Sequence, residues 1–245
     1  MAGTTILELA RVAKRYGAVV VADGLDLAVG EGEALGIVGP NGAGKTTLFG
    51  IIAGTVPLDA GRVLFRGTDV TRLPPARRCR LGMARSFQVP QPFGGMSVLE
   101  NLLVAAAFGG RGGREGAMTG RCLAILERCG LAGQADRRAG SLTLLDRKRL
   151  ELARALATEP RLLLLDEVAG GLTQPECEQL VALIREVLAS GVAILWIEHV
   201  VRALLAVVGR LVVLHGGRFI AAGEPAAVMR SAAVTEVYTG IAGDG

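Results

Sequence analysis

The chain has 245 residues, 51% of them apolar, a net charge of +4 and four cysteines. That length suffices for a sizeable core without disulfides or metals, and so mild a charge gives no reason to expect a nucleic-acid partner. The longest unbroken apolar run, Leu102 to Phe108, falls far short of the ~20 residues a membrane-spanning helix needs.

The first residues, MAGTTILELARVAKRY, contain Glu8 and no long apolar stretch, so they do not read as a signal peptide. A cytoplasmic location is expected. Cys79, Cys122, Cys129 and Cys177 show no CxxC spacing and read as reduced thiols. Arg77, Arg78, Arg80 and Arg85 form a basic cluster. It reads first as a solvated helix face and second as a surface for an acidic partner, a nucleic acid or an anionic membrane.

Taken in order, ALGIV at 34–38 predicts a buried strand that runs into a glycine-rich turn, and Lys45 to Ala53 a helix closed by Gly54. Residues 61–65 and 83–87 predict further strands. Ser97 and Glu100 form a capping box before an apolar helix, 98–108. The stretch 109–120 is half glycine and predicts a surface loop. Helices follow up to Thr158. LLLL at 162–165 is the signature of a strand buried on both faces. Residues 175–190 predict an amphipathic helix, with Cys177, Leu180, Val181, Ile184, Val187 and Leu188 on one stripe. VAILWI at 192–197 predicts another buried strand, and 211–222 a hairpin turning at Gly216-Gly217. The alternation predicts an α/β fold with much parallel sheet. It reads as one composite domain over 1–245, with a core at about 1–87 and 159–245 and a helical subdomain at about 88–158.

Gly39-Pro40-Asn41-Gly42-Ala43-Gly44-Lys45-Thr46 fits G-x-x-x-x-G-K-[ST] at every position. Glycines let backbone N–H groups turn inward around a triphosphate, and the following helix presents its N-terminus to the same phosphates. Lys45 adds a full charge at the β- and γ-phosphates, and the Thr46 hydroxyl is a ligand for Mg²⁺. Asp166-Glu167 ends a buried strand, where α/β sheets bind ligands. Asp166 is the candidate for holding Mg²⁺, and Glu167 for orienting or deprotonating the attacking water. His199 follows the strand 192–197 by two residues. If that strand lies beside the Asp166 strand, His199 reaches the same site and can hydrogen-bond the γ-phosphate. Gln88, at the end of MARSF, has an amide oxygen suited to Mg²⁺ or the attacking water. Tyr16 reads equally as an adenine-stacking ring or a half-buried tyrosine beside a strand. His215 reads as structural.

These pieces, in this order, resemble the ATP-binding cassette (ABC) family along nearly the whole chain. Tyr16 is similar to the family's aromatic A-loop residue. GPNGAGKTT at 39–47, with Thr47 in it, is similar to the Walker A motif. Gln88 in RSFQ resembles the Q-loop, LLLLDE at 162–167 the Walker B motif with its catalytic glutamate, and His199 in WIEH the H-loop. RSFQVPQPFGGMSVLEN, RKRLELARALAT and VLHGGRFIAAGEP resemble the ATPase subunits of branched-chain (hydrophobic) amino-acid importers. The resemblance implies ATP and Mg²⁺ as ligands, a second ATPase subunit, a pair of transmembrane permease subunits, and a peripheral place on the cytoplasmic face of the membrane. It also implies that each ATP lies between one subunit's Walker motifs and the other's signature motif. A lipid or lipopolysaccharide exporter ATPase, or a non-transport ABC ATPase, is the alternative.

Two segments depart from the family pattern. At the signature position, usually LSGGQ, the chain reads Leu142-Thr143-Leu144-Leu145-Asp146. Thr143 keeps the hydroxyl, but both glycines are lost. This predicts a heterodimer with unequal ATP sites in preference to a homodimer. At the D-loop, Val168 stands where Pro is usual and Thr173 where Asp is usual. Thr173 has a plain role available, as a capping box with Glu176.

Overall fold

A computed structural model describes residues 4–109 and 115–239. It opens with two long antiparallel strands, β1 (Thr5–Tyr16) and β2 (Val19–Gly30), which the sequence reading does not anticipate. The alternation of β1 is broken by irregular register after Leu9, where Arg11 takes a positive φ of 48°. Such bulges shift the period-2 signal from one face to the other.

β3 (Ala34–Val38) and α1 (Lys45–Ala53) follow, the helix closed by Gly54 as expected. β4 (Ala60–Phe65), β5 (Thr68–Asp69), α2 (Pro75–Leu81) and β6 (Met83–Arg85) complete the first part. Three helices then separate β6 from the next strand: α3 (Val98–Gly109), α4 (Glu115–Arg128) and α5 (Leu144–Ala157). β7 (Leu162–Asp166), α6 (Gln174–Ala189), β8 (Ala193–Ile197), α7 (Val201–Leu205), the hairpin β9 (Arg210–His215) and β10 (Arg218–Gly223), α8 (Pro225–Met229) and α9 (Ala232–Thr239) follow.

Two sheets form. One is antiparallel, in the order β2-β1-β4-β5, and the other has the order β10-β9-β3-β8-β7-β6. In the second, β9, β3, β8, β7 and β6 run parallel and β10 closes an antiparallel edge. One apolar core, with Leu48, Phe49, Ile51 and Ile52 of α1, lies between the two sheets; the other lies under the helices on the far face. β7 feeds both. Leu162 and Leu164 face the first core, Leu163 and Leu165 the second. A strand with two buried faces has no reason to alternate, hence LLLL.

Two expectations are corrected. The predicted loop 109–120 is cut short by α4, which starts at Glu115; residues 110–114 lie outside the described residues. Gly116 and Gly120 are exposed while Cys122 and Leu126 are buried, so packing of one helix face outweighs the glycines. The basic cluster is also not a uniform solvated face. Arg77 and Arg80 are exposed, but Arg78 is 2% exposed and donates to the carbonyls of Ile51 (2.7 Å), Ile52 (2.6 Å), Thr71 and Leu73. It supplies a cation and hydrogen bonds to the carbonyls at the C-terminal end of α1. Arg85 is engaged elsewhere, as described below.

Candidate functional site

The sheet register gathers the candidates. β3 pairs with β8 and β8 with β7, and β6 pairs with the other edge of β7. The loops after β3, β6, β7 and β8 therefore leave the same carboxyl edge side by side, the place where open α/β sheets bind ligands. The adjacency expected of β7 and β8 holds, with Asp166 opposite Ile197.

The loop after β3 is shaped by steric necessity. A Cβ on Gly44, where φ is +98°, would lie 2.5 Å from the Val21 carbonyl oxygen, and one on Gly39 would lie 2.1 Å from that of Leu214. β2 and β9 thus press the loop into a form only glycine accepts. Within it, Pro40, Gly44 and Thr47 are partly buried, Ala43 is buried, and Asn41, Gly42 and Thr46 are exposed. Lys45 is buried, and its ammonium donates to the carbonyls of Gly39 (2.8 Å) and Pro40 (3.0 Å). Burial lowers its pKa; the carboxylates of Glu167 and then Asp166 oppose that. The lysine and the two acids therefore share one electrostatic site.

Asp166 is 4% exposed, and its Oδ2 takes a 2.7 Å ion pair from Arg85. Its Oδ1 has no protein partner among the described residues. With the exposed Thr46 hydroxyl and the Gln88 amide oxygen, this is a set of hard oxygen donors suited to Mg²⁺. Glu167 is held from three sides. Gln88 Nε2 donates to Oε2, His199 Nε2 lies 2.8 Å from Oε1, and the backbone N–H donates to the Ile197 carbonyl at 2.8 Å. Its φ of +49° is unusual for a side-chain-bearing residue and points to a constrained site.

Two candidates stand apart. Tyr16 is 51% exposed at the β1–β2 turn, with the Lys14 ammonium 5.2 Å from its ring centroid. Thr143 is the N-cap of α5, its hydroxyl oxygen accepting the Asp146 N–H at 3.2 Å. That leaves the hydroxyl proton free to donate. Of the two leucines that stand where the signature glycines are usual, Leu144 is 44% exposed and Leu145 turns inward at 8%.

Sequence reasoning missed Arg85 as a site residue. The signal was its place in the strand next to the Asp166 strand, which becomes informative only once β6 and β7 are known to pair. It also passed over Glu198, one residue before His199.

The family profile described as ABC transporter matches residues 22–170. The chain belongs to the ABC transporter family. A probable branched-chain amino acid transport ATP-binding protein, LivG, of Methanocaldococcus jannaschii is 34% identical over 96% of this chain and 97% of its own length. The lipopolysaccharide export system ATP-binding protein LptB of Acidithiobacillus ferridurans is 34% identical over 96% and 97%. The crystal structure of the ADP conformation of an ATP-binding cassette of an ABC transporter superposes with a TM-score of 0.89 at 33% identity, covering 97% of this chain and 99% of the other. This ABC protein is accordingly a nucleotide-binding ATPase subunit with the P-loop α/β fold of such cassettes. No helix among its described residues is long and apolar enough to cross a membrane.

Proposed function

We propose that this subunit hydrolyses ATP to drive an importer for branched-chain or related amino acids, docked on permease subunits at the cytoplasmic face of the membrane. The observation that carries the chemistry is Glu167, held between Gln88 and His199 beside Lys45. In this reading residues 39–47 wrap the phosphates, Lys45 leaves its loop carbonyls for the β- and γ-phosphates, and Tyr16 stacks on the adenine. Asp166, Thr46 and Gln88 would hold Mg²⁺, which would offset phosphate charge. Glu167 accepts the proton of the attacking water, and His199 orients Glu167 and the γ-phosphate. Thr143 serves the ATP bound by a partner subunit. Residues 1–87 and 159–245 act as the core and 88–158 as the helical subdomain of one domain.

Support for permease docking is a groove of about 250 Å³ lined by Cys79, Arg85, Phe87, Ala105, Glu151 and Arg154. Phe87, Val89, Phe93 and Phe108 stand exposed around the same part of the chain. Exposed apolar groups of this kind mark association surfaces. The amino-acid assignment rests on the likeness to LivG, and the equal identity to LptB favours lipopolysaccharide export as the second reading. Glu167→Gln should keep ATP binding and lower hydrolysis by ~10²-fold or more. Wild-type turnover by that variant would remove Glu167 as the base. Reconstitution with permease subunits and a labelled branched-chain amino acid then separates import from export.

A further inference from the structure

We propose that Glu198 is a positioning residue. It clips the loop carrying His199 to the loop that follows Glu167, and so sets how His199 meets Glu167. The inference rests on the reading of Glu167 and His199 as the working pair.

β7 and β8 end opposite one another, with Asp166 facing Ile197, and the last rung between them is the Glu167 N–H on the Ile197 carbonyl. Beyond it the two chains part into loops whose N–H groups have no ladder to join. Glu198 is the first residue past β8 and is 2% exposed. A carboxylate so deeply buried is costly without partners. It has three, all backbone N–H groups. Oε2 accepts from Ala169 (2.9 Å), across the gap; Oε1 accepts from His199 (2.9 Å) and Val200 (3.2 Å), on its own loop. One oxygen therefore serves each loop. The side chain takes the place of a missing rung and carries the register of β7 and β8 on to the backbone of His199.

The acceptor pattern makes the position chemically specific. All three groups are donors, so only a side chain with two acceptor ends satisfies both loops. Glutamine would set an NH₂ against one of them, and aspartate is a methylene too short to span the gap. Lys148 of α5 is buried nearby, and the charge of Glu198, ahead of that of Glu167, favours its ammonium against burial. None of the three hydrogen bonds involves a group that would touch ATP. Loss of the clip should therefore act through the aim of His199 and spare nucleotide affinity.

The chain has two histidines, His199 and His215, so ¹⁵N-histidine labelling of the full chain gives a spectrum that His199→Ala assigns. Glu198→Gln should move the His199 ring resonances and leave those of His215 in place. It should lower kcat ~10- to 100-fold, the scale of a misplaced catalytic group, while the Kd for ATP stays within about threefold. In a His199→Ala background Glu198→Gln should add little further loss, whereas an unrelated structural defect would multiply. Glu198→Asp, which keeps the charge but is too short to span the gap, should also move the His199 resonances, and gives the test a second route if the glutamine variant does not fold. His199 resonances unchanged in both variants, or multiplying losses in kcat, overturn the proposal. If Glu167→Gln abolishes hydrolysis and Glu198→Gln leaves His199 unmoved, the clip alone is wrong. If Glu167→Gln hydrolyses ATP normally, the catalytic reading falls and takes the clip with it.

Discussion

Lys45 and Arg85 are two cations of the site that meet different needs. Lys45 is buried on its own loop carbonyls and carries a charge that burial disfavours. Lys45→Ala removes that charge and leaves the glycine-shaped loop, so ATP affinity and turnover should each fall ~10²-fold or more while circular dichroism stays native. Near-normal hydrolysis would sink the phosphate-loop assignment. Arg85 neutralises Asp166, whose side chain is 5% exposed. Arg85→Met would strand a buried carboxylate, a loss of about 3–5 kcal/mol. A bound metal cation would supply the missing positive charge. The rise in Tm on adding MgATP should therefore be larger for Arg85→Met than for the wild-type chain. An equal or smaller rise would mean that Arg85 is not the counter-charge of Asp166.

At the scale of the elements, helix starts decide two family-divergent segments. Thr173, in the place of the usual D-loop aspartate, is the N-cap of α6; the Glu176 carboxylate accepts its N–H at 2.8 Å and its hydroxyl at 2.7 Å. Thr173→Ala should cost about 1 kcal/mol in urea unfolding, the usual value of a cap, and a loss of several times that would mean the residue holds more than a helix end. The hydroxyl and N–H of Thr173 hold the Glu176 carboxyl below its ordinary value of 4.5. Because its folded pKa is depressed, its contribution is complete at neutral pH and disappears as pH falls through the folded value. At α5, Thr143 caps and Leu145 joins the interior, so the departure from LSGGQ narrows to one outward side chain. Leu144 already lies against the loop after β7, where a Cβ on Gly171 would come within 3.4 Å of it.

For the whole molecule we propose that the consequence is unequal ATP sites in a dimer with a second ATPase subunit. A branched side chain at 144, in place of glycine, would crowd the start of α5 in a closed dimer and cannot hydrogen-bond a phosphate; overpacking of that kind costs about 1–3 kcal/mol. The residues around Lys45, Glu167 and His199 form an intact constellation. The chain should therefore pair with a second ATPase subunit that supplies a regular signature. Purified alone it should bind ATP and hydrolyse it slowly without cooperativity. In the pair, changing its Glu167 to Gln should abolish most activity, and changing the partner's equivalent glutamate should matter much less. Equal losses, or brisk cooperative hydrolysis by this chain alone, would refute the asymmetric dimer.

The sequence by itself determined those features whose chemistry is local. GPNGAGKT admits few conformations, LLLLDE announces a doubly buried strand ending in two acids, and the caps at Ser97 and Thr173 need only residues three apart. Periodicity placed α1, α6 and the β9–β10 hairpin to within a residue or two. The tertiary structure decided what depends on neighbours distant in sequence. Bulges hid β1 and β2 from a period-2 reading, packing carried α4 through Gly116 and Gly120, and burial turned Arg78 from a surface charge into a cap for α1. The same holds inside the site. Arg85 and Asp166 are 81 residues apart, and Glu198 and Ala169 are 29 apart. They meet because parallel strands are joined by long crossovers and become neighbours only when the sheet assembles.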